Sequence, residues 1–221
     1  MLHDSHIKAY QLMKNTYLDK YEEICKSAKS AESGSIDKWY LKTERIFKGQ
    51  KINCEDDFLK LVAYAYSWMP TIPEWHDLNW AACETALEKL KGGESGALKE
   101  ALLLIVPSIN NSIVGSSKVL HFACPDHAPI IDSNVVIGWR ALFFPGGLRK
   151  KRNVHNEYLA ALPSNFCAYG SDKKNKEKQI DLYIKYSENL KDWANVLKDV
   201  TPRDIEIKLY MHGKKQTDKA N

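Results

Sequence analysis

The sequence predicts an all-α fold, and three observations lead to that prediction. Apolar residues recur every three or four positions over most of the chain, as on the buried face of an amphipathic helix. No stretch shows the sustained alternation of apolar and polar residues that is typical of a half-buried strand. The chain has only 11 glycines and 8 prolines, and most of them lie between the periodic segments, where they end helices.

Length and composition place the chain among globular proteins. It has 221 residues, of which 44% are hydrophobic and 27% charged, which is enough to bury a core and excludes a disordered chain. No apolar run reaches 18 residues, and the N-terminus has no signal-peptide pattern. We expect one helical domain over 1–221, with two helical lobes around a cleft. Its parts are N-terminal helices (1–49), a core (50–147), a basic helical part (148–213) and a frayed tail (214–221).

The N-terminal third of the chain predicts three helices. Residues 7–29 place apolar side chains at helical spacing between lysines and acids. A second helix is expected over 36–47. A third starts with Asp56 or Asp57 as its N-cap and is stopped by Pro70, because proline cannot continue a helix.

The middle of the chain alternates short helices with turns. Asp77 is expected to cap a helix that ends at Gly92, where a glycine commonly follows the last turn. Residues 96–106 predict a short, very apolar helix. The following stretch, 107–117, is small, polar and rich in turn-forming residues, so it predicts a loop that leads into a helix over 118–124.

The C-terminal third predicts two longer helices after a short buried one. Residues 135–143 form the buried helix, and 174–198 form a long amphipathic one. Thr201 is expected to cap the last helix, with Pro202 at its first position. This helix is expected to close the fold over 204–211.

The five cysteines form no C-x-x-C pair and are widely spaced. Neither a disulfide framework nor a zinc ribbon is expected, and the chain suits a reducing compartment. Cys83 and Cys124 stand in apolar contexts, which predicts that they are core thiols. No spacing of histidines is typical of a metal site, so no catalytic metal is expected.

The charge is mild in total but uneven along the chain. The net charge is +4, yet residues 50–147 carry −4 and residues 148–191 carry +5. The second of these segments begins with Arg149, Lys150, Lys151 and Arg152 and also contains a lysine-rich run over 173–176. Such runs are either solvated surface or contacts to phosphates.

The segment from 106 to 139 carries the residues with chemical potential. The small residues Gly115, Ser116 and Ser117 predict a turn that leaves backbone amides at a helix start, which suits a phosphate. Lys118 is expected in the first turn of that helix. Asp132 stands between apolar residues just before the next helix. It is either a plain N-cap or a partly desolvated carboxylate in a cleft.

The same segment resembles a known family. The runs Ser116–Phe122, Pro125-Asp126 and Pro129–Val135 are similar to the core of helix-hairpin-helix DNA glycosylases, in particular the 8-oxoguanine DNA glycosylase branch and its small prokaryotic relatives. In that family, a lysine attacks the anomeric carbon and forms a Schiff base, and an aspartate supports the positively charged sugar. The resemblance assigns these roles to Lys118 and Asp132.

The resemblance also predicts two supporting residues, and the chain departs from the family pattern at the hairpin. Ser133 and Asn134 would support a phosphate or the aspartate. The family's hairpin usually reads Leu-Pro-Gly-Val/Ile-Gly, whereas this chain has Pro-Ser-Ile-Asn-Asn-Ser at 107–112. Cysteines are not grouped as in iron–sulfur members, so no cofactor is implied.

A glycosylase must accept a flipped base in a pocket lined by aromatic side chains. Trp68 and Trp75 lie in a proline-rich loop that is expected to expose them, which suits a base-stacking or wedge group. His121 lies three residues after Lys118 and shares its helix face. It is either a pocket residue or a buried histidine with its hydrogen bonds satisfied.

The leading hypothesis is a DNA glycosylase that removes a damaged or modified base from duplex DNA, with or without AP-lyase activity, in repair or antiviral defence. We expect a cytoplasmic, nucleoid-associated monomer without a membrane partner. A non-catalytic DNA-binding protein with the same fold is the second hypothesis, because the hairpin departs from the family pattern. In the third, a helical protein-interaction domain, Lys118 and Asp132 form a structural ion pair.

Overall fold

The structure is a computed structural model that describes residues 2–29, 45–47, 51–67, 69–145, 158–168 and 173–220. Within these ranges it is all-helical, and an isolated antiparallel bridge between Trp75 and Ile109 is the only β pairing. The elements are α1 (Leu2–Lys29), α2 (Glu55–Tyr66), α3 (Trp80–Lys91), α4 (Ala97–Ser108), α5 (Ile113–Ala123), α6 (Ser133–Phe143), a 3-10 turn (Phe166–Ala168), α7 (Lys173–Leu197) and α8 (Pro202–Ala220).

The chain divides into two compact units, and neither is continuous in sequence. Unit 1 consists of Met1–Gly34, Asp132–Phe166 and Lys185–Asn221. Unit 2 consists of Ser35–Ile131 and Cys167–Ile184. The predicted all-α class is confirmed for the described residues.

In unit 1, α6 and α8 cross with their backbones in contact. A Cβ atom on Gly138 would overlap the carbonyl of Leu209, and a Cβ atom on Gly213 would overlap the carbonyl of Asn134. Glycine in a helix interior costs about 1 kcal/mol relative to alanine. Here it lets the two helices approach closer than any side chain allows.

The core of unit 1 is aromatic. The rings of Tyr17 and Trp193 stack with centroids 5.4 Å apart, and those of Trp139 and Phe143 lie 4.5 Å apart. Both indole nitrogens are satisfied by backbone carbonyls, because Trp193 Nε1 donates to Tyr17 at 2.7 Å and Trp139 Nε1 donates to Ala160 at 2.8 Å. Each tryptophan therefore fills the core and also holds another segment in place.

The irregular segment 158–168 is held in unit 1 by two side chains. Asn189 accepts from the amide of Ala160 at 2.8 Å and donates to the carbonyl of Tyr158 at 2.9 Å. Arg140 Nη1 donates to the carbonyl of Leu162 at 2.7 Å. These bonds pair backbone amides and carbonyls of the segment that have no partner within a helix.

In unit 2, α5 packs against α2 and α4. A Cβ atom on Gly115 would overlap the hydroxyl and ring of Tyr66, so glycine permits this contact. The ring of Tyr64 stacks on Phe47 at 4.0 Å and meets Phe122 edge-on at 5.0 Å. Burial raises the pKa of Tyr66 to about 12.

A four-residue turn, 109–112, joins α4 to α5 and holds the proline-rich loop before α3. Asn110 adopts φ 51° and Asn111 adopts φ 49°, a left-handed conformation that asparagine tolerates better than most residues. The side chain of Asn110 accepts from the amide of Glu74 at 2.6 Å and donates to the carbonyl of Ile72 at 3.2 Å. The turn contains no glycine, yet two of its residues adopt the left-handed backbone conformation that is most common in glycine.

The predicted cap of α2 is wrong. The helix begins at Glu55 after Cys54, and both Asp56 and Asp57 lie in its first turn. Asp57 pairs with Lys60 at 2.9 Å instead of capping. Carboxylates in the first turn still face the positive end of the helix dipole.

The starts and ends of the next helices also differ from the prediction. Asn79, not Asp77, caps α3 and accepts from the amide of Ala82 at 3.2 Å. The end at Gly92 is confirmed. Helix α4 continues through Pro107 to Ser108.

Of the two C-terminal helices, the first matches the prediction and the second extends further than expected. Helix α7 matches the prediction within one residue at each end. Thr201 and Asp204 form reciprocal bonds at the start of α8, with Pro202 at its first position as predicted. The helix continues to Ala220, beyond the predicted end at 211.

Two further findings complete the fold. Of the helix predicted over 36–47, only Arg45–Phe47 lies within the described residues, and it is helical. Among the described helices, none is long and apolar enough to cross a membrane.

Candidate functional site

Asp132 is the N-cap of α6 in unit 1. Its Oδ1 accepts a hydrogen bond from the amide of Val135 at 2.9 Å, and its backbone is extended. The side chain is half-buried. Within the described part of the chain, no hydrogen bond to Oδ2 is present, so one oxygen holds the helix and the other remains available.

In unit 2, a serine of α5 holds the segment that precedes Asp132. Ser117 Oγ donates to the carbonyl of Val114 at 2.9 Å and accepts from the amide of Ile131 at 3.3 Å. Both Ser117 and Ile131 are completely buried. The next residues along the chain are Lys118 and Asp132, the two that the family resemblance selects.

The turn predicted at 115–117 does not exist, because α5 starts earlier, at Ile113. Ser112 is the N-cap, and its Oγ accepts from the amide of Gly115 at 3.2 Å. Ser116 and Ser117 are completely buried inside the helix. The prediction that these three residues offer amides to a phosphate is therefore wrong, since a capping side chain and helical hydrogen bonds engage this part of the backbone.

Lys118 is the sixth residue of α5, not a member of its first turn. Its side chain is half-buried and has interactions within the chain. The field of a helix dipole falls off within the first turn. The helix N-terminus therefore does little to favour a neutral amine at this position.

The two residues after Asp132 have different surroundings. Ser133 is exposed at the first position of α6. Asn134 is half-buried, and its carbonyl lies against Gly213 of α8. The exposed Ser133 is thus open to an external ligand, whereas the backbone of Asn134 takes part in the helix crossing.

His121 is a core residue. It is 1% exposed, and its Nδ1 lies 2.9 Å from the carbonyl of Ala128. Its ring meets that of Phe122 edge-on. The base-pocket role is wrong for this conformation, because the ring is closed off from solvent, and the alternative interpretation as a satisfied buried histidine is confirmed.

The predicted loop tryptophans have different outcomes. Trp75 is half-buried, and its ring lies 6.4 Å from that of Phe58. It therefore packs against α2 and helps to hold the loop in place. Trp68 lies outside the described residues. Among the described residues of the loop, the large hydrophobic one that is exposed is Ile72, at 85%.

The basic run Arg149–Arg152 also lies outside the described residues, and its numbers fall within the range Asp132–Phe166 that is counted with unit 1. Unit 1 carries 18 basic and 13 acidic side chains for a net charge of +5, and unit 2 carries 14 and 15 for −1. The positive charge of the chain therefore belongs to the unit that contains Asp132.

Lys176 is a residue that sequence reasoning missed. It was grouped with a solvated or phosphate-binding run, yet it is 9% exposed and its Nζ donates to the carbonyl of Asn111 at 2.5 Å. Burial lowers its pKa. The signal was present, since Lys176 lies at helical spacing from the apolar Ile180 and Tyr183 on the buried face of α7.

The cysteine prediction is confirmed where the structure tests it. Cys83 and Cys124 are buried, and burial raises the pKa of each thiol to about 12. Among the described residues, no group of three or more histidine, cysteine, aspartate or glutamate side chains is arranged to hold a metal ion.

Comparison with known proteins finds no matching family model, no matching curated protein and no matching solved structure. The chemistry of the site is therefore inferred from its own residues.

Proposed function

We propose that this protein is a DNA glycosylase in which Asp132 stabilises the positive charge that develops on the deoxyribose. The observation that supports it is a difference between the two carboxylate oxygens of Asp132. Oδ1 caps α6, whereas Oδ2 has no hydrogen bond within the described part of the chain. Breaking an N-glycosidic bond builds cationic character on the sugar, and a fixed carboxylate lowers the energy of that state.

Lys118 is the proposed amine nucleophile. Its nitrogen attacks the anomeric carbon while the bond to the base breaks, and the base leaves with the bonding electrons and takes up a proton. Opening of the sugar ring then gives an imine to the lysine. The motif around Lys118 supports this role.

The charge of unit 1 supports a DNA partner. Its net charge of +5 includes the run Arg149–Arg152. Neutralising phosphates releases counterions, so binding to duplex DNA should weaken as salt is raised. If the protein does not bind duplex DNA at low salt, the proposal is excluded.

The Asp132→Asn variant tests the carboxylate. Asparagine caps helices about as well as aspartate, so the oxygen that bonds Val135 is kept and only the charge is lost. We expect base release to fall by about 10²–10³-fold, with DNA binding and the melting temperature retained. The measurement is a screen of base release from genomic DNAs that carry different modified bases.

Borohydride trapping tests the lysine. Reduction of the imine should give a covalent protein–DNA adduct in the wild type and none in Lys118→Ala. Lys176→Met is the matched control, because it removes a different amine of unit 2. An adduct that persists in Lys118→Ala would show that the nucleophile is a different residue.

The second candidate is a non-catalytic DNA-binding protein, and the hydrogen bond that Asp132 accepts from the amide of Val135 favours it, because helix capping alone would account for an aspartate at this position. The same variants separate the two. Salt-dependent binding without base release from any substrate, together with wild-type behaviour of Asp132→Asn, would support the non-catalytic protein.

A further inference from the structure

The four residues before Asp132, here called the entry segment (128–131), are buried but have no regular secondary structure. Ala128 and Ile131 are completely buried, and Ile130 is 8% exposed. A buried backbone amide or carbonyl without a partner costs free energy. The hydrogen bonds that a helix would supply therefore have to come from side chains of other elements.

Two helices of unit 2 bond the entry segment with buried side chains. From α5, Ser117 Oγ accepts from the amide of Ile131 at 3.3 Å. From α7, the hydroxyl of Tyr183 donates to the carbonyl of Pro129 at 2.5 Å. Ser117 and Tyr183 are completely buried, and a hydrogen bond that is shielded from water is electrostatically stronger than one in water.

His121 supplies a third bond from α5. Its Nδ1 lies 2.9 Å from the carbonyl of Ala128, and a carbonyl only accepts, so Nδ1 carries the hydrogen. The entry segment is thus bonded at three of its four residues, 128, 129 and 131. It cannot slide or turn as a whole without breaking buried hydrogen bonds.

The chain passes from the entry segment directly into Asp132. Neighbouring Cα atoms are held about 3.8 Å apart across a trans peptide bond, so a displacement of Ile131 moves the backbone of Asp132 as well. The carboxylate is restrained separately, because its Oδ1 accepts from the amide of Val135 at 2.9 Å. Both the backbone that leads into Asp132 and its side chain are therefore held.

We propose that Ser117 and Tyr183 are positioning residues for Asp132, acting through the backbone of the entry segment. This inference rests on the proposed function, in which the carboxylate faces the deoxyribose. A charged group lowers a barrier most when it is already in place before the opposite charge develops. A misplacement of about 1 Å is enough to cost about 10²-fold in rate.

A purely structural role of these bonds predicts a different result. In that case, the loss of one bond lowers the melting temperature but leaves the rate constant of each folded molecule unchanged. A positioning role lowers that rate constant too. The measurement is base release in a single turnover, with protein in saturating excess over DNA and well below the melting temperature, so that the rate constant does not depend on affinity or on the amount of folded protein.

Adjacent serines of α5 give the first matched pair of variants. Ser116 and Ser117 are both completely buried, but Ser116 Oγ has no hydrogen-bond partner among the described residues. We expect Ser117→Ala to lower the rate constant by about tenfold, less than for a full 1 Å displacement because the other bonds remain. We expect Ser116→Ala to leave it unchanged, and both variants to keep the affinity for DNA.

Two buried tyrosines of unit 2 give the second pair. Tyr183→Phe removes the hydroxyl that holds Pro129 and adds no volume, so it keeps the test valid if Ser117→Ala is unstable. We expect a loss of about tenfold in the rate constant. Tyr66→Phe is the control, because the hydroxyl of Tyr66 lies against Gly115 and bonds none of the entry segment.

Amide hydrogen exchange, followed by NMR, tests the hold on the entry segment without any substrate. We expect the amide of Ile131 to exchange about tenfold faster in Ser117→Ala than in the wild type, as for the loss of one hydrogen bond. Ser116→Ala should exchange as the wild type does. Faster exchange with an unchanged rate constant of base release would show that the bond serves the fold alone, and it would overturn the positioning role of Ser117.

The outcomes separate this inference from the proposed function. Wild-type rate constants in both Ser117→Ala and Tyr183→Phe overturn the inference and leave the glycosylase proposal standing. Equal losses in these variants and in their controls also overturn it, since removal of any buried hydroxyl would then have the same effect. A wild type that releases no base from any substrate overturns both, even where exchange at Ile131 depends on Ser117.

Discussion

The two units differ in what their helical glycines contact. In unit 1, Gly138 and Gly213 let the backbones of α6 and α8 meet. In unit 2, Gly115 of α5 meets only the side chain of Tyr66. Both units also hold loop carbonyls with buried side chains, Lys176 among them. The difference predicts that added volume costs more at the helix crossing of unit 1 than in unit 2, where a side chain can move aside.

The units also differ in charge, at +5 for unit 1 and −1 for unit 2. Asp132 belongs to the basic unit, and the exposed tip at Ile72 belongs to the near-neutral one. In the proposed function, the basic unit supplies attraction to phosphates, which is sensitive to salt.

The largest expected effect is that of Gly213→Ala in unit 1. The added methyl group would overlap the carbonyl of Asn134 and the amide of Gly138, and no flexible side chain is present there to move aside. We expect the free energy of unfolding to fall by at least about 3 kcal/mol. Urea denaturation followed by circular dichroism measures it.

Gly92→Ala in unit 2 is the matched control. Gly92 has φ −72° and a Cβ atom there would meet only ordinary contacts, at 3.4 Å or more. We expect between no change and a gain of about 1 kcal/mol. Equal losses in the two variants would show that the close helix crossing is not what requires glycine at 213.

A smaller effect is expected for Gly115→Ala in unit 2. Its methyl group would overlap the hydroxyl and ring of Tyr66, but the better helix propensity of alanine offsets part of the cost. We expect a net loss of about 1–2 kcal/mol. Because the obstacle is a side chain, Tyr66→Leu should recover much of that loss in the double variant, as a double-mutant cycle would measure. Additive losses would contradict this account.

The smallest effect is the pH dependence that Lys176 contributes. Burial lowers its pKa below the ordinary 10.5. Between the lowered folded value and 10.5, the unfolded chain holds a proton that the folded chain lacks, so the free energy of unfolding rises with pH. The slope is at most about 1.4 kcal/mol per pH unit.

Lys176→Met removes this contribution. We expect the wild type to gain stability relative to the variant as the pH is raised from about 7 to 10. Urea denaturation at each pH gives the difference, and Lys178→Met, at an exposed position of the same helix, is the control. A difference that stays constant with pH would show that Lys176 keeps its ordinary pKa.

Helical spacing predicted the long helix α7 well and the starts of the shorter helices poorly. Helix α7 was placed within one residue at each end, because 25 residues of amphipathic pattern leave little freedom. The cap of α3 was misplaced because Asp77 and Asn79 are both good N-caps, and that of α2 because its N-cap, Cys54, makes no side-chain capping bond. Which of them caps depends on where the preceding loop enters the helix.

The candidate site was predicted unevenly for a related reason. Asp132 precedes a clear apolar helix, so its capping position follows from local sequence. The start of α5 does not, because Gly115, Ser116 and Ser117 are poor helix formers and predict a turn. Packing overrides that propensity, since the lack of a side chain at Gly115 admits Tyr66, and the buried hydroxyl of Ser117 donates to the carbonyl of Val114.

The amino-acid pattern therefore decided the class of the fold, the register of the long helices and the position of Asp132 at a helix start, since these depend on spacing within one segment. Tertiary structure alone decided that Lys176 is buried, that His121 is a core residue and that Ile72 is the exposed tip of its loop. Lys176 depends on the carbonyl of Asn111 and Ile72 on Asn110, both distant in sequence, whereas His121 depends on the carbonyl of Ala128, which the turn after α5 brings back against the helix. A local pattern records the propensity of a residue, but the partner that satisfies a buried polar group is set only when distant segments pack.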